Sequence, residues 1–186
     1  MNLETLEYPP LTEDIEEAKN HLDKYGMALI ANVLSNDEID EMDQRLNEQF
    51  LGEEKYKVGS KVRGDEGLGV ESSEEEKVSR LVWNLINKGD CFLKLIDHPK
   101  ILPLIQHLIG EKVCLCSMGA HMNGSGNEKM ALHQDQWPLV PHPMDFPFMA
   151  NVMYLISDNS PENGGTRLIP GSHKWPLIDY RTANGE

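Results

Sequence analysis

The sequence predicts an α+β fold, with helices in its first part and a strand-built core in its second. Two observations carry this. Before Gly110 apolar residues recur at helical spacing, and after it short apolar runs alternate with clusters of Gly, Pro, Asn and Ser. At 186 residues, 39% apolar and 26% charged, the chain is one domain's worth of sequence with a single core. The expected division is a mainly helical part, 1–110, with a long loop at 51–77, and a strand part, 111–186.

Taken in order, Thr12 caps a helix running to about Lys24, with Ile15, Ala18 and Leu22 on one side and Gly26 as its stop. Met27–Val33 reads as a short buried strand. Ser35 and Glu38 form a capping box for a helix that carries Ile39, Met42, Leu46 and Phe50. Residues 51–77, rich in Gly, Glu, Ser and Lys, read as a loop of the kind that serves as a lid. A helix is expected from Val78 through Leu85 and Ile86. Another starts at His98-Pro99, buries Leu102, Ile105 and Leu108, and stops at Gly110. Strands are expected at Val113–Met122, Met130–Gln136, Phe148–Ser157 and Thr166–Ile169, with turns at 123–127 and 160–165.

The formal net charge of −14, from 31 acidic and 17 basic residues, repels nucleic acid and anionic membrane surfaces. The acidic runs near residues 12–17, 37–43 and 71–76 read as solvated faces. No apolar run approaches the ~20 residues that span a bilayer, and Met1-Asn2-Leu3-Glu4 does not open a signal peptide. Cys91, Cys114 and Cys116 form no disulfide framework. They read as buried free thiols, although Cys114 and Cys116 would share a strand face and are conceivable ligands. The compartment expected is a reducing cytoplasm.

His133-Gln134-Asp135 is the sequence's best site. On a strand, residues two apart share a face, so imidazole and carboxylate would reach one ion together. Such a pair is part of the 2-His-1-carboxylate triad that holds Fe(II). With 7 His and 12 Asp in the chain, however, His-x-Asp is expected by chance roughly 0.5 times. An internal control exists in His21-Leu22-Asp23, where a helix makes the two side chains diverge. A surface His–Asp pair remains the alternative for His133 and Asp135.

The text around that pair is more specific. Leu132–Trp137, Ala150–Leu155 and Glu162–Lys174, the last with its Asn-Gly-Gly turn and Pro-Gly-Ser-His end, resemble consecutive blocks of the phytanoyl-CoA dioxygenase family. Gly26–Leu46 and the His98–Gly110 helix resemble that family's N-terminal part. The resemblance implies a double-stranded β-helix (jelly roll) flanked by helices, and an Fe(II)/2-oxoglutarate-dependent dioxygenase hydroxylating a small molecule with O₂. It maps His133 and Asp135 onto the first two iron ligands. Asn151 matches a position that contacts the 2-oxoglutarate, and Thr166 and His121 are further cosubstrate candidates. Gln136 and Trp137 would border the substrate.

The pattern then breaks. The family's second His ligand, and an Arg for the far carboxylate of 2-oxoglutarate, lie downstream of the Pro-Gly-Ser-His turn. Only thirteen residues follow His173, none of them His, and Arg181 is the one Arg among them. His173 and His142 are weak substitutes, and His173 reads as structural. The sequence therefore reads as an oxygenase domain lacking its last strands. A non-catalytic ligand-binding relative, or an enzyme completed by another chain, are the alternatives. By itself such a chain is expected to self-associate through exposed strand edges, bind Fe(II) weakly and leave 2-oxoglutarate unconverted. Its substrate is not legible.

Overall fold

The computed structural model describes residues 7–58, 60–63, 78–123, 133, 135–136, 146–160 and 162–175. A two-residue strand β1 (Leu11–Thr12) pairs in parallel with β2 (Leu29–Ile30), and helix α1 (Ile15–Tyr25) connects them. The helix begins two residues later than Thr12 implied. Asp14 is its N-cap, accepting from the Glu17 amide at 2.9 Å, while Thr12 is extended in β1 and accepts from the Asp14 amide. Gly26 ends α1 at φ 73°, a left-handed conformation glycine adopts without strain. The strand expected over Met27–Val33 is confined to β2.

The capping box forms as expected. Ser35 and Glu38 satisfy each other's free donors at the start of α2 (Asn36–Tyr56). That helix buries Met42, Leu46 and Phe50 and runs six residues into the expected loop. Gly52 does not break it, because Gln49 reaches Glu53 one turn on at 2.8 Å and Lys57 provides a left-handed stop. Strand β3 (Ser60–Arg63) also falls inside the expected loop.

The helix expected at Val78 is a strand. β4 (Val78–Trp83) is the centre of an antiparallel sheet, β3-β4-β5, with β5 at Gly119–Met122. Leu81 and Val82 point to opposite faces and are both buried, a pattern that suits a central strand. A 3₁₀ turn (Leu85–Asn87), a short helix α3 (Asp90–Leu93) and helix α4 (Leu102–Ile109) follow. α4 starts later than Pro99, since the His98 carbonyl accepts the Ile101 and Leu102 amides in a preceding turn. Gly110 stops it as expected. In α4 Leu104 is buried, and Leu102, Ile105 and Leu108 are half-buried.

The core gathers Met42, Leu46 and Phe50 of α2 with Val82, Leu85, Cys91, Phe92 and Leu95. Each fully buried large side chain contributes about 1.5–3 kcal/mol. Met118, Ala120, Tyr154 and Ile156 pack onto this cluster from the second half. Beyond β5 the described residues hold no further strand. Phe148–Ser157 and Thr166–Ile169 are irregular, and of Val113–Met122 only β5 is a strand. Most of Met130–Gln136 and the 123–127 turn lie outside the described residues. The 160–165 turn is present, closed by Gly165 donating to the Ser160 carbonyl at 2.8 Å. Cys91 is buried as expected, but Cys114 and Cys116 are exposed, because their segment joins no sheet.

Candidate metal centre

Asp135 and Gln136 occupy a turn, so strand alternation does not bring His133 and Asp135 together. Their side chains nevertheless meet. His133 Nε2 lies 3.4 Å from Asp135 Oδ1, and the two side chains keep 45% and 53% of their surface exposed. The pair is an ion pair when the imidazole is protonated and two adjacent metal donors when it is neutral.

The turn is held from the segment at 146–160. The Gln136 side-chain oxygen accepts the backbone amides of Phe148 and Met149, the latter at 3.1 Å. The Asn151 side-chain amide donates to Asp135 Oδ2 at 2.8 Å. That segment is in turn fixed to the core. The Tyr154 hydroxyl donates to the Leu95 carbonyl at 2.8 Å, and its ring meets His98 edge-on at 6.4 Å between centroids. Burial pushes the Tyr154 hydroxyl up to about 12, so it stays a neutral donor.

The other predicted residues are more scattered. His121 is on β5, opposite Leu81; its ring reaches solvent, yet the protein around it desolvates the imidazole and lowers its pKa. Thr166 is exposed and lines a different cleft, of about 90 Å³, with Asn159, Ser160, Gly165 and Arg167. Of the cosubstrate candidates, Asn151 bonds Asp135. His21 and Asp23 diverge as expected. His21 is buried in α1 with its Nδ1 unpartnered, while Asp23 is exposed and bonds His107 Nε2 at 2.9 Å.

His173 is a structural residue. Its Nε2 lies 3.3 Å from the Asp23 carbonyl, and its ring lies over Gly26, so it sits at the end of α1. His142, Trp137 and Arg181 lie outside the described residues. Among the described residues no group of three or more His, Cys, Asp and Glu side chains is arranged to hold a metal. The bonding partners of Gln136 and Asn151 were not foreseen. Both are polar residues in the conspicuous blocks, but nothing in their linear spacing shows that the two blocks face each other.

Residues 22–184 match the family model described as Phytanoyl-CoA dioxygenase (PhyH). The chain belongs to the phytanoyl-CoA dioxygenase family. Proteins similar to it include Dioxygenase af480 of Aspergillus fumigatus, 30% identical over 89% of this chain and 51% of its own length. The Probable alpha-ketoglutarate-dependent hypophosphite dioxygenase of Stutzerimonas stutzeri is 27% identical over 89% of this chain and 56% of its own. Dioxygenase sphC of Aspergillus fumigatus is 24% identical over 88% of this chain and 46% of its own. The chain thus spans about half the length of the curated relatives it matches. No solved structure matches it. Within this family member, no helix among the described residues is long and apolar enough to cross a membrane.

Proposed function

We propose that the protein is an Fe(II)/2-oxoglutarate-dependent dioxygenase that hydroxylates a small organic substrate on a double-stranded β-helix. The observation that carries this is the His133–Asp135 pair, with an imidazole nitrogen and a carboxylate oxygen 3.4 Å apart in a member of this family. The two donors present are of the types that this metal takes. One neutral nitrogen and one carboxylate oxygen are two of the three protein ligands of a facial triad, which leaves positions open for cosubstrate and O₂. When bound, iron with 2-oxoglutarate and O₂ supplies the oxidising power, giving succinate, CO₂ and one oxygen atom inserted into a substrate C–H bond.

The chain's own residues hold and orient. His133 and Asp135 would hold the metal, while Asn151 keeps the carboxylate in place by donating to its Oδ2. Thr166 and His121 are assigned to the surroundings of 2-oxoglutarate on the family resemblance. The exposed thiols Cys114 and Cys116 suit a reducing cytoplasm. The exposed apolar side chains Phe148, Met153 and Leu155 suit self-association.

The test is anaerobic calorimetry with Fe(II) or Co(II), wild type against His133→Ala, together with Fe(II)-dependent succinate release from 2-oxoglutarate. Affinity should fall at least tenfold in the variant. An unchanged titration places the metal elsewhere. Succinate release is read on a chain extended to its relatives' length, and metal binding without release there identifies a non-catalytic metal-binding relative.

A further inference from the structure

We infer that Gln136 and Asn151 are positioning residues that clamp the ligand turn and make Asp135 present a single oxygen to the metal. The inference rests on the reading of His133 and Asp135 as metal donors. A free carboxylate offers two equivalent oxygens, and rotation about its last bond is soft. Left alone, Asp135 would swing between one-oxygen and two-oxygen ligation. A triad that must keep positions open needs the carboxylate to occupy one position only.

The geometry divides the two oxygens between two tasks. Oδ2 accepts the Asn151 amide at 2.8 Å, and Oδ1 is the oxygen 3.4 Å from His133 Nε2. The Asn151 orientation is fixed by chemistry. Only the NH₂ end attracts a carboxylate, since turning the amide over would set two acceptors against each other. The same argument fixes Gln136, whose oxygen faces two backbone N–H donors, those of Phe148 and Met149.

The two contacts form one device. Gln136 adjoins the ligand and ties the turn to the backbone at 148–149. Asn151, two residues beyond Met149 on that segment, then reaches the carboxylate itself. Tyr154, three residues further, anchors the segment to the core through the Leu95 carbonyl. The carboxylate is therefore referenced to the helical core through one short stretch of chain. Hydrogen-bonded partners of metal ligands typically set 10–100-fold of metal affinity.

Two measurements test this, one with metal and one without. Asn151→Ala should weaken Co(II) binding about 10–100-fold. It should also change the intensity of the Co(II) visible bands, because a released carboxylate chelates and raises the coordination number. A residue that only stabilised the fold would lower the melting temperature and leave the bound spectrum unchanged. In the metal-free protein, Gln136→Ala should speed amide hydrogen exchange at Phe148 and Met149. Gln136→Glu, which keeps an acceptor oxygen, should leave it slow. Wild-type binding and spectrum in Asn151→Ala, with binding lost in His133→Ala, overturn the clamp and leave the metal site standing. Unchanged exchange in Gln136→Ala overturns it equally. Co(II) binding indifferent to His133→Ala removes the site and the clamp together.

Discussion

Helix α2 and the segment Phe146–Ser160 are both rich in large apolar residues, and the fold treats them in opposite ways. Met42, Leu46 and Phe50 keep 2%, 6% and 6% of their surface, whereas Phe148, Met153 and Leu155 keep 52%, 56% and 52%. In α2 the residues at one-turn spacing form a single stripe, so one packing event buries all of them. The 146–160 segment has no ladder partner among the described residues, and Tyr154 and Ile156 are its packing onto the core cluster. The His133–Asp135 pair leans on this second, less self-sufficient region. A rigid helical frame carrying a more lightly anchored segment is a common arrangement.

Four substitutions sharpen or break the contrast. Phe92, 2% exposed at the centre of the core, should cost about 3–5 kcal/mol when replaced by Ala. Phe148→Ala, at 52% exposure, should stay within about 0.5 kcal/mol. Urea unfolding of both variants measures the difference, and equal costs would abolish the distinction between the regions.

Gly26→Ala comes next. The residue sits at φ 73°, where a side chain costs about 1–2 kcal/mol, and a Cβ there would collide with the His173 ring. Thermal unfolding should show the loss, and adding His173→Ala should recover the part that comes from the collision. Full additivity of the two changes would mean that the turn does not rest on α1.

Tyr154→Phe has a modest effect near neutrality, about 1 kcal/mol for the lost hydrogen bond. Its pH dependence is more informative. The folded protein holds the Tyr154 proton to about 12, against 10.0 for an ordinary tyrosine. The raised value means that the unfolded chain loses this proton first as pH climbs. The stability linked to Tyr154 is thus complete below pH 10.0 and lost as pH rises towards about 12. The advantage of wild type over Tyr154→Phe should shrink across that window in denaturant melts. A constant difference would mean that the 146–160 segment is not seated on the core.

Elements with local causes were legible in the sequence. The Ser35–Glu38 capping box and the stops at Gly26 and Gly110 depend on bonds within a few residues, and all three are present. Val78–Trp83 is a strand where the sequence predicts a helix, because its state is set by pairing with Gly119–Met122, and no local pattern announces that partner. The candidate site shows the same split. His133 and Asp135 were legible as a pair, but the turn that joins them is held by amides at 148 and 149. Asn151 is a candidate in the sequence only through resemblance, and its bond to Asp135 is visible only in three dimensions.

The seat of the Pro-Gly-Ser-His turn on α1 also sets an order of events during synthesis. Gly171 donates to the Tyr25 carbonyl, and His173 meets the Asp23 carbonyl across 150 residues of chain. Closing so long a loop is entropically costly and comes late in folding. The ribosome delivers α1 and its Gly26 stop long before residues 171–173 exist. Until they arrive, the Tyr25 and Asp23 carbonyls lack these partners, and α1 is among the last of the described helices to be completed.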